Sequence, residues 1–387
     1  MVPVSIAPPR AAGAGPDAGA AGGAVITALG DLMLAGEWDE VSAAGGRQAM
    51  AEALEPLGSL CRFSDCVFAN LEATAPGDGE TIVKEPRLVG SPETLSAALE
   101  ALEVDLVSLA NNHTFDALLS GYQETLDLLA SGGVLALGAG LDAESAAEAR
   151  VMTLGGLRFG WLAYNHRETR PSHTAAEESY GVNDFTPERS LGEIAELAQQ
   201  VDHVVVSLHW GVEYCHVPSP ASVETARRLI DAGARLVIGH HAHVVQGVEA
   251  YGEGVIAYNL GNALTTDLEI GGRLAIHQAA KNRSSFALRA TFGPERLERC
   301  ELLPFYAARG RIDLESPVPA RLLRRANRRL AAGISERRWR RIRLVEDVVL
   351  RTLKKLHPRV VGSVRPHHFV KFFKNLRGAA GGSGPAA

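Results

Sequence analysis

Short apolar runs recur along the chain, and each stops at a side chain able to bind a metal or carry a proton. Residues 24–30 (AVITALG) stop at Asp31, and residues 66–69 (CVFA) stop at Asn70 and Glu72. Residues 104–109 (VDLVSL) lead into Asn111, Asn112 and His113, residues 203–208 (HVVVSL) into His209, and Leu236-Val237-Ile238 into Gly239-His240-His241-Ala242-His243. Runs of this length, rich in β-branched residues, read as buried strands. Between them lie helical patterns near residues 46–60 (Met50, Leu54 and Leu57 on one face), 91–102, 121–131, 188–200 and 222–232. Ser91-Pro92-Glu93 has the cap, first-turn proline and acid of a helix start. Strands alternating with helices predict an α/β fold with a largely parallel sheet. Such a sheet collects its strand ends along one edge, so distant residues can meet there.

A single acid after a strand is commonplace, but a series in the same structural context points to metal-assisted chemistry. Imidazole is the commonest protein ligand for transition metals and titrates near neutrality. Asp31, Glu72, Asn112, His113, His209, His241 and His243 are therefore the candidate metal and acid–base residues. Residues 73–90, with Pro76, Gly77, Gly79, Pro86 and Gly90, read as a loop able to cover such a site.

The net charge of −6 hides an asymmetry. Residues 321–377 hold 18 Lys/Arg against 3 Asp/Glu, while the remainder holds 21 against 42. An acidic body thus precedes a basic extension whose Leu322, Leu323, Ala326 and Leu330, then Ile342, Val345, Val349, Leu353 and Leu356, keep helical spacing. Two amphipathic helices are expected, packed on the body or holding an anionic partner. No recognition motif accompanies the charge, so nucleic acid is not an expected partner.

Residues 1–23 are rich in Ala, Gly and Pro and predict a disordered segment. The expected organisation is that segment, a catalytic domain over 24–316, the basic helical extension over 317–377 and a disordered tail over 378–387. The N-terminal residues lack a signal-peptide pattern, and no run of 18 apolar residues exists, so no membrane span is expected. Cys61, Cys66, Cys215 and Cys300 lack C-x-x-C spacing and read as free thiols of a cytoplasmic protein.

Gly30-Asp31, Asn70-Leu71-Glu72, Asn111-Asn112-His113 with Asp116, His209-Trp210-Gly211, His241-Ala242-His243 and Leu260-Gly261-Asn262 together resemble the CapA family. That family is named for poly-γ-glutamate capsule synthesis and belongs to the calcineurin-like metallophosphoesterases. The resemblance spans roughly residues 24–305 and implies a four-layer α/β/β/α sandwich. It implies Asp31, Glu72, Asn112, His209, His241 and His243 as metal ligands, with His113, oriented by Asp116, as the acid–base residue. Asn70, Trp210 and Asn262 are assigned to substrate binding.

Two departures alter the expected chemistry. Metallophosphoesterases carry D-x-H at the first strand end, where this chain has Asp31-Leu32-Met33; Glu72 fills the bridging aspartate position. Losing one imidazole weakens half of a two-metal centre. One or two divalent ions (Ca, Mn, Mg or Zn) are expected, without an organic cofactor. Histidines released from the metal could transfer protons: His113 with Asp116 on one side, His209, His240 or His277 on the other. Some soluble members of the family epimerise the C-terminal residue of lasso-peptide precursors, and that reaction is the favoured expectation. The alternatives are capsule biosynthesis, hydrolysis of phosphoesters or γ-glutamyl bonds, and non-enzymatic binding of an anionic polymer. The expected substrate is a peptide or polyglutamate-like chain.

Overall fold

The computed structural model describes residues 4–6, 23–270 and 273–349. In it the apolar runs become two sheets lying face to face. The first has the strand order Val4–Ile6, Leu297–Ala308, Ser284–Phe292, Ala24–Leu32, Cys66–Leu71, Leu106–Ser108, Leu135–Leu137, with Asn262–Leu264 pairing beside Ala24–Leu32. From Ala24–Leu32 to Leu135–Leu137 the neighbours are parallel. The second sheet has the order Val248–Tyr251, Gly254–Ala257, Ala234–His240, His203–His209, Leu157–Asn165, Arg150–Leu154, with a parallel centre and antiparallel edges.

The two-residue period of a strand decides what lies between the sheets. Ile26, Ala28 and Phe68 face inward and pack with Phe159, Trp161, Val205, Leu236 and Ile238 of the opposite sheet. The alternate residues Val67, Ala69 and Leu71 face outward against Met50, Leu54, Leu95 and Leu129 of helices Glu37–Cys61, Pro92–Ala101 and Leu118–Ser131. Helices Pro187–Leu197 and Pro220–Asp231 cover the other sheet through Ile194, Ala226 and Leu229. Helix, sheet, sheet and helix make the four layers expected.

Local signals read as expected where they have a mechanism. Ser91 accepts the Thr94 N–H at 3.1 Å and caps its helix, with Pro92 at the first position. The first helix is longer than its periodicity suggests. It begins at Glu37 and kinks at Gly45 and Gly46, where Gly46 takes φ 58°. Its extra turns are held by Trp38, whose indole N–H donates to Thr265 O at 3.1 Å, a contact too distant in sequence to be read locally.

Val4–Ile6 differs from the expected disorder: it pairs antiparallel on the open edge of Leu297–Ala308. Of the basic extension, Pro317–Ala331 and Glu336–Arg343 are helices, and Leu323 and Ala326 bury the inner face of the first. Leu353, Leu356 and the tail beyond residue 349 lie outside the described residues. The four cysteines are free and buried. No helix among the described residues is long and apolar enough to cross a membrane.

Candidate functional site

Parallel strand ends from both sheets converge on one group of buried polar side chains. Asp31 sits near the end of Ala24–Leu32, and its N–H donates to Gly261 O at 3.1 Å. That close approach explains Gly30, where a Cβ would lie 1.9 Å from the same oxygen. Glu72 follows Cys66–Leu71, and Asn111 to His113 follow Leu106–Ser108. From the opposite sheet come His209, ending its strand, and the 240–243 turn. In that turn His241 and His243 adopt φ 87° and 53°, a left-handed conformation unusual for non-glycine residues and often found where a site imposes geometry.

At the centre, Glu72 Oε1 lies 3.6 Å from His209 Nε2 and 3.9 Å from His113 Nε2, and Oε2 lies 3.8 Å from His243 Nδ1. Both Glu72 oxygens are fully buried without a hydrogen-bond partner. A buried carboxylate left bare is costly unless a cation meets it. Glu72, His241 and His243 offer ligand atoms within 4.8 Å of one another, so the donor set fits a divalent ion with mixed oxygen and nitrogen ligands. Asp31 braces the group. Its Oδ1 accepts from Asn70 Nδ2 at 2.9 Å, its Oδ2 accepts from the His241 N–H at 3.2 Å, and His243 Nδ1 lies 3.5 Å from Oδ2.

The electrostatics describe a centre that calls for positive charge. Burial pushes the Glu72 carboxyl well above its ordinary range, partly opposed by His243. Burial would also raise Asp31, but hydrogen bonds from His240 and His243 hold it well below. Burial lowers His241 to about 4 and takes His209 well below its usual value, the neighbouring His241 adding to the second effect. His243 goes the other way. Burial opposes its charge, yet Glu72 and Asp31 raise it to about 10. Without a metal, a proton on His243 is the cation that meets both carboxylates.

Beside this group stands a dyad. His113 Nδ1 is 2.5 Å from Asp116 Oδ2. A carboxylate can only accept, so Nδ1 carries the hydrogen and Nε2 presents its lone pair toward Glu72. Burial lowers the His113 pKa against the opposing pull of Asp116. The 73–90 loop closes over the pair. Lys84 Nζ donates to Asn112 O at 2.5 Å and lies 3.5 Å from Asp116 Oδ1, and the Leu88 N–H donates to Asp116 Oδ2 at 2.8 Å.

A model of the family "Bacterial capsule synthesis protein PGA_cap" matches residues 25–267. The chain belongs to this family. It is 30% identical over 237 residues to the PGA biosynthesis protein CapA of Bacillus subtilis, covering 60% of this chain and 61% of that protein. It is 28% identical over 245 residues to the capsule biosynthesis protein CapA of Bacillus anthracis, covering 61% of this chain and 58% of that protein. The chain therefore spans about three-fifths of the length of these relatives. A phosphatase structure from Mycoplasma pneumoniae is similar over 77% of this chain and 96% of its own, with a TM-score of 0.46 and 10% identity.

Within this PGA_cap member the expected site residues take three kinds of position. Asp31, Glu72, Asn112, His113, Asp116, His209, His241 and His243 come together, with Asn112 Oδ1 2.8 Å from His209 Nε2 and His241 Nδ1 3.2 Å from the same nitrogen. Asn70 and Asn262, expected to touch substrate, are instead fully buried supports. Asn70 bonds Asp31, and Asn262 Oδ1 lies 2.9 Å from His243 Nδ1. Trp210, also expected at the substrate, is a core residue whose indole N–H donates to Tyr258 O at 3.2 Å.

The expected acid–base roles of His240 and His277 meet physical obstacles. His240 shares the inward strand face of Leu236 and Ile238, so it is fully buried behind Asp31, 3.2 Å from Oδ1 and beside Phe68. His277 Nδ1 pairs at 2.9 Å with Asp267, in the cluster formed by Glu37, Arg283 and Arg309. Met33 sits in the outer core, where its sulfur accepts from Thr265 Oγ1 at 3.5 Å. Three residues escaped the sequence reading. Glu213 acts electrostatically on Glu72, His241 and His243, and Glu168 accepts the Gly211 N–H at 2.7 Å and adds to the field on His241. Lys84 is the third. Glu213 lies four residues after His209, the one signal that could have marked it.

Proposed function

We propose that this chain is a divalent-metal-dependent enzyme that hydrolyses γ-glutamyl amide bonds in a polyglutamate-type chain, with His113 and Asp116 moving the proton. The carrying observation is the pair of bare, buried Glu72 oxygens facing His209, His243 and His113. The names of the relatives, which refer to PGA and capsule biosynthesis, supply the substrate class. A bound divalent ion would polarise a carbonyl oxygen and acidify a water.

The chain's own groups supply the rest. The neutral His113, with its Nδ1–H held by Asp116, takes a proton from the attacking water at Nε2. Oxygen bonds to the carbonyl carbon, the C–N bond breaks, and the same Nε2 returns the proton to the leaving amine. Lys84 and the Leu88 N–H keep Asp116 anionic and oriented throughout. Epimerisation at a Cα needs a second base on the opposite face. Of the candidates for that base, His240 is buried behind Asp31 and His277 is paired with Asp267, while His209, 3.6 Å from Glu72 Oε1 and 2.8 Å from Asn112 Oδ1, is assigned to the metal, which favours the single-dyad reaction.

Incubating Mn²⁺-loaded protein with poly-γ-glutamate should shorten the polymer and free one amine per cut. The activity should vanish with chelator and fall steeply in His113→Ala. An intact polymer alongside cleaved phosphoesters would redirect the reading to phosphate chemistry. Deuterium appearing at a Cα from D₂O, with the chain intact, would redirect it to epimerisation.

A further inference from the structure

The helix Pro317–Ala331 docks one face and leaves the other charged. Leu323 and Ala326 are buried, Leu330 packs near Gly247, and Asn327 Oδ1 accepts the Val248 N–H at 2.9 Å. Opposite them Arg321, Arg324, Arg325 and Arg328 are exposed at spacings of three, four and seven residues. That is one stripe along about 10 Å of helix. Helix Glu336–Arg343 follows with Arg337, Arg338 and Arg341 exposed and none of its residues buried.

Among the described residues the ion pairs of these helices are Arg329 with Glu346 and Arg340 with Glu336. Arg321, Arg324, Arg325, Arg328, Arg337 and Arg341 carry no carboxylate partner among the described residues. Outside residues 321–377 the chain holds 21 Lys/Arg against 42 Asp/Glu, so among the described residues this stripe is a concentrated positive face that attracts a polyanion.

The surface is fastened to the loops that carry the site. Glu346 Oε2 accepts the His216 N–H at 2.8 Å, three residues beyond Glu213, while Arg329 holds its other oxygen at 3.3 Å. Leu330 and Asn327 meet residues 247 and 248, shortly after His243.

We propose that the solvent face of residues 317–343 is a docking surface for a polycarboxylate chain, which it presents to the neighbouring site. The choice of polycarboxylate rests on the function proposed above; the existence of a polyanion surface does not. Isolated carboxylates along a flexible chain suit separate guanidinium forks, which bind carboxylate in two-point fashion. The described helices offer one aromatic side chain, Trp339, and Arg343 lies over its ring at 5.4 Å, so a stacking platform for bases is lacking there.

The test is fluorescence anisotropy of labelled poly-γ-glutamate with the full chain at several salt concentrations. Binding should weaken steeply with salt. The combined variant R321Q/R324Q/R325Q/R328Q should bind about tenfold more weakly with a flatter salt slope, the scale of four exposed charge contacts. All four substitutions are on an exposed face, and an unchanged circular dichroism spectrum and melting temperature would check the fold. Measured in chelator, where no cleavage is expected, the same difference between the unmodified protein and the quadruple variant should hold, so a failure of the hydrolase reading leaves this result standing. Equal binding by the quadruple variant would overturn the proposal, as would tighter binding to RNA or to phosphatidylglycerol vesicles than to poly-γ-glutamate.

Discussion

Replacing Glu72 by glutamine should leave the metal-free protein nearly as stable and remove most of the stabilisation that metal gives. The side chain keeps its shape but loses the charge that faces His209, His243 and His113 at 3.6–3.9 Å. In metal-free protein Glu72 is a buried, bare carboxylate whose charged form burial disfavours. Removing that charge relieves the buried carboxylate but also takes away the partner that raises His243, so the two effects offset and the metal-free protein should change by no more than about 1 kcal/mol. The effect on metal binding is larger. At a free Mn²⁺ or Zn²⁺ concentration one hundred times its Kd, binding stabilises the native state by about 2.7 kcal/mol. Loss of the carboxylate ligand should weaken affinity about a hundredfold, leaving roughly 0.4 kcal/mol at the same concentration. At about 1.2 °C per kcal/mol for a chain of 387 residues, the metal-induced rise in Tm should shrink from roughly 3 °C to about 0.5 °C. Differential scanning fluorimetry across a metal titration, with calorimetric titration for Kd, reads both quantities. Unchanged metal affinity in Glu72→Gln would refute the assignment of Glu72 as a ligand. A metal-free variant several degrees less stable would show that Glu72 is a structural ion-pair partner instead.

Asp116→Asn should keep the fold and lower kcat on poly-γ-glutamate by about 10²–10⁴-fold, because an amide no longer enforces the Nδ1–H tautomer of His113; steady-state kinetics check it. Metal-free protein should have a Tm maximum near pH 6.5 in chelator-buffered melts. His243, raised to about 10, contributes stability that is complete below its unfolded value of 6.5 and is lost as pH rises toward 10. His241, lowered to about 4, must be charged on unfolding below pH 6.5, so stability is also lost as pH falls from 6.5 toward 4. Saturating metal should flatten that profile. Leu323→Ala, which empties a fully buried position, should cost about 2–4 kcal/mol and raise hydrogen exchange along residues 317–331. Equal exchange there would mean the helix is held by Asn327 and Glu346 alone.

Much of the site was legible because its ligands sit where strands stop. The apolar run before Asp31, the Asn70-Leu71-Glu72 triplet and the paired His241 and His243 are local patterns, and local patterns survive in a bare sequence. Strand periodicity could even have removed His240, which falls on the inward face with Leu236 and Ile238. It could not remove Trp210 or His277. Their fate depends on Tyr258 O and Asp267, partners met only after the chain has crossed between elements.

The layers themselves follow from periodicity: period-two runs between helical stripes can bury both faces only as a sandwich. Which carboxylate is bare and which is braced is a different matter. Asp31 and Glu72 are both acids at strand ends, yet Asp31 is met by Asn70 and His241 while Glu72 has no such partner. That difference arises where two sheets bring residues some forty to two hundred positions apart within hydrogen-bond reach. The residue types, and hence the available chemistry, belong to the sequence. Burial, and with it the direction in which each proton moves, belongs to the packed structure, because desolvation is a property of everything around a group.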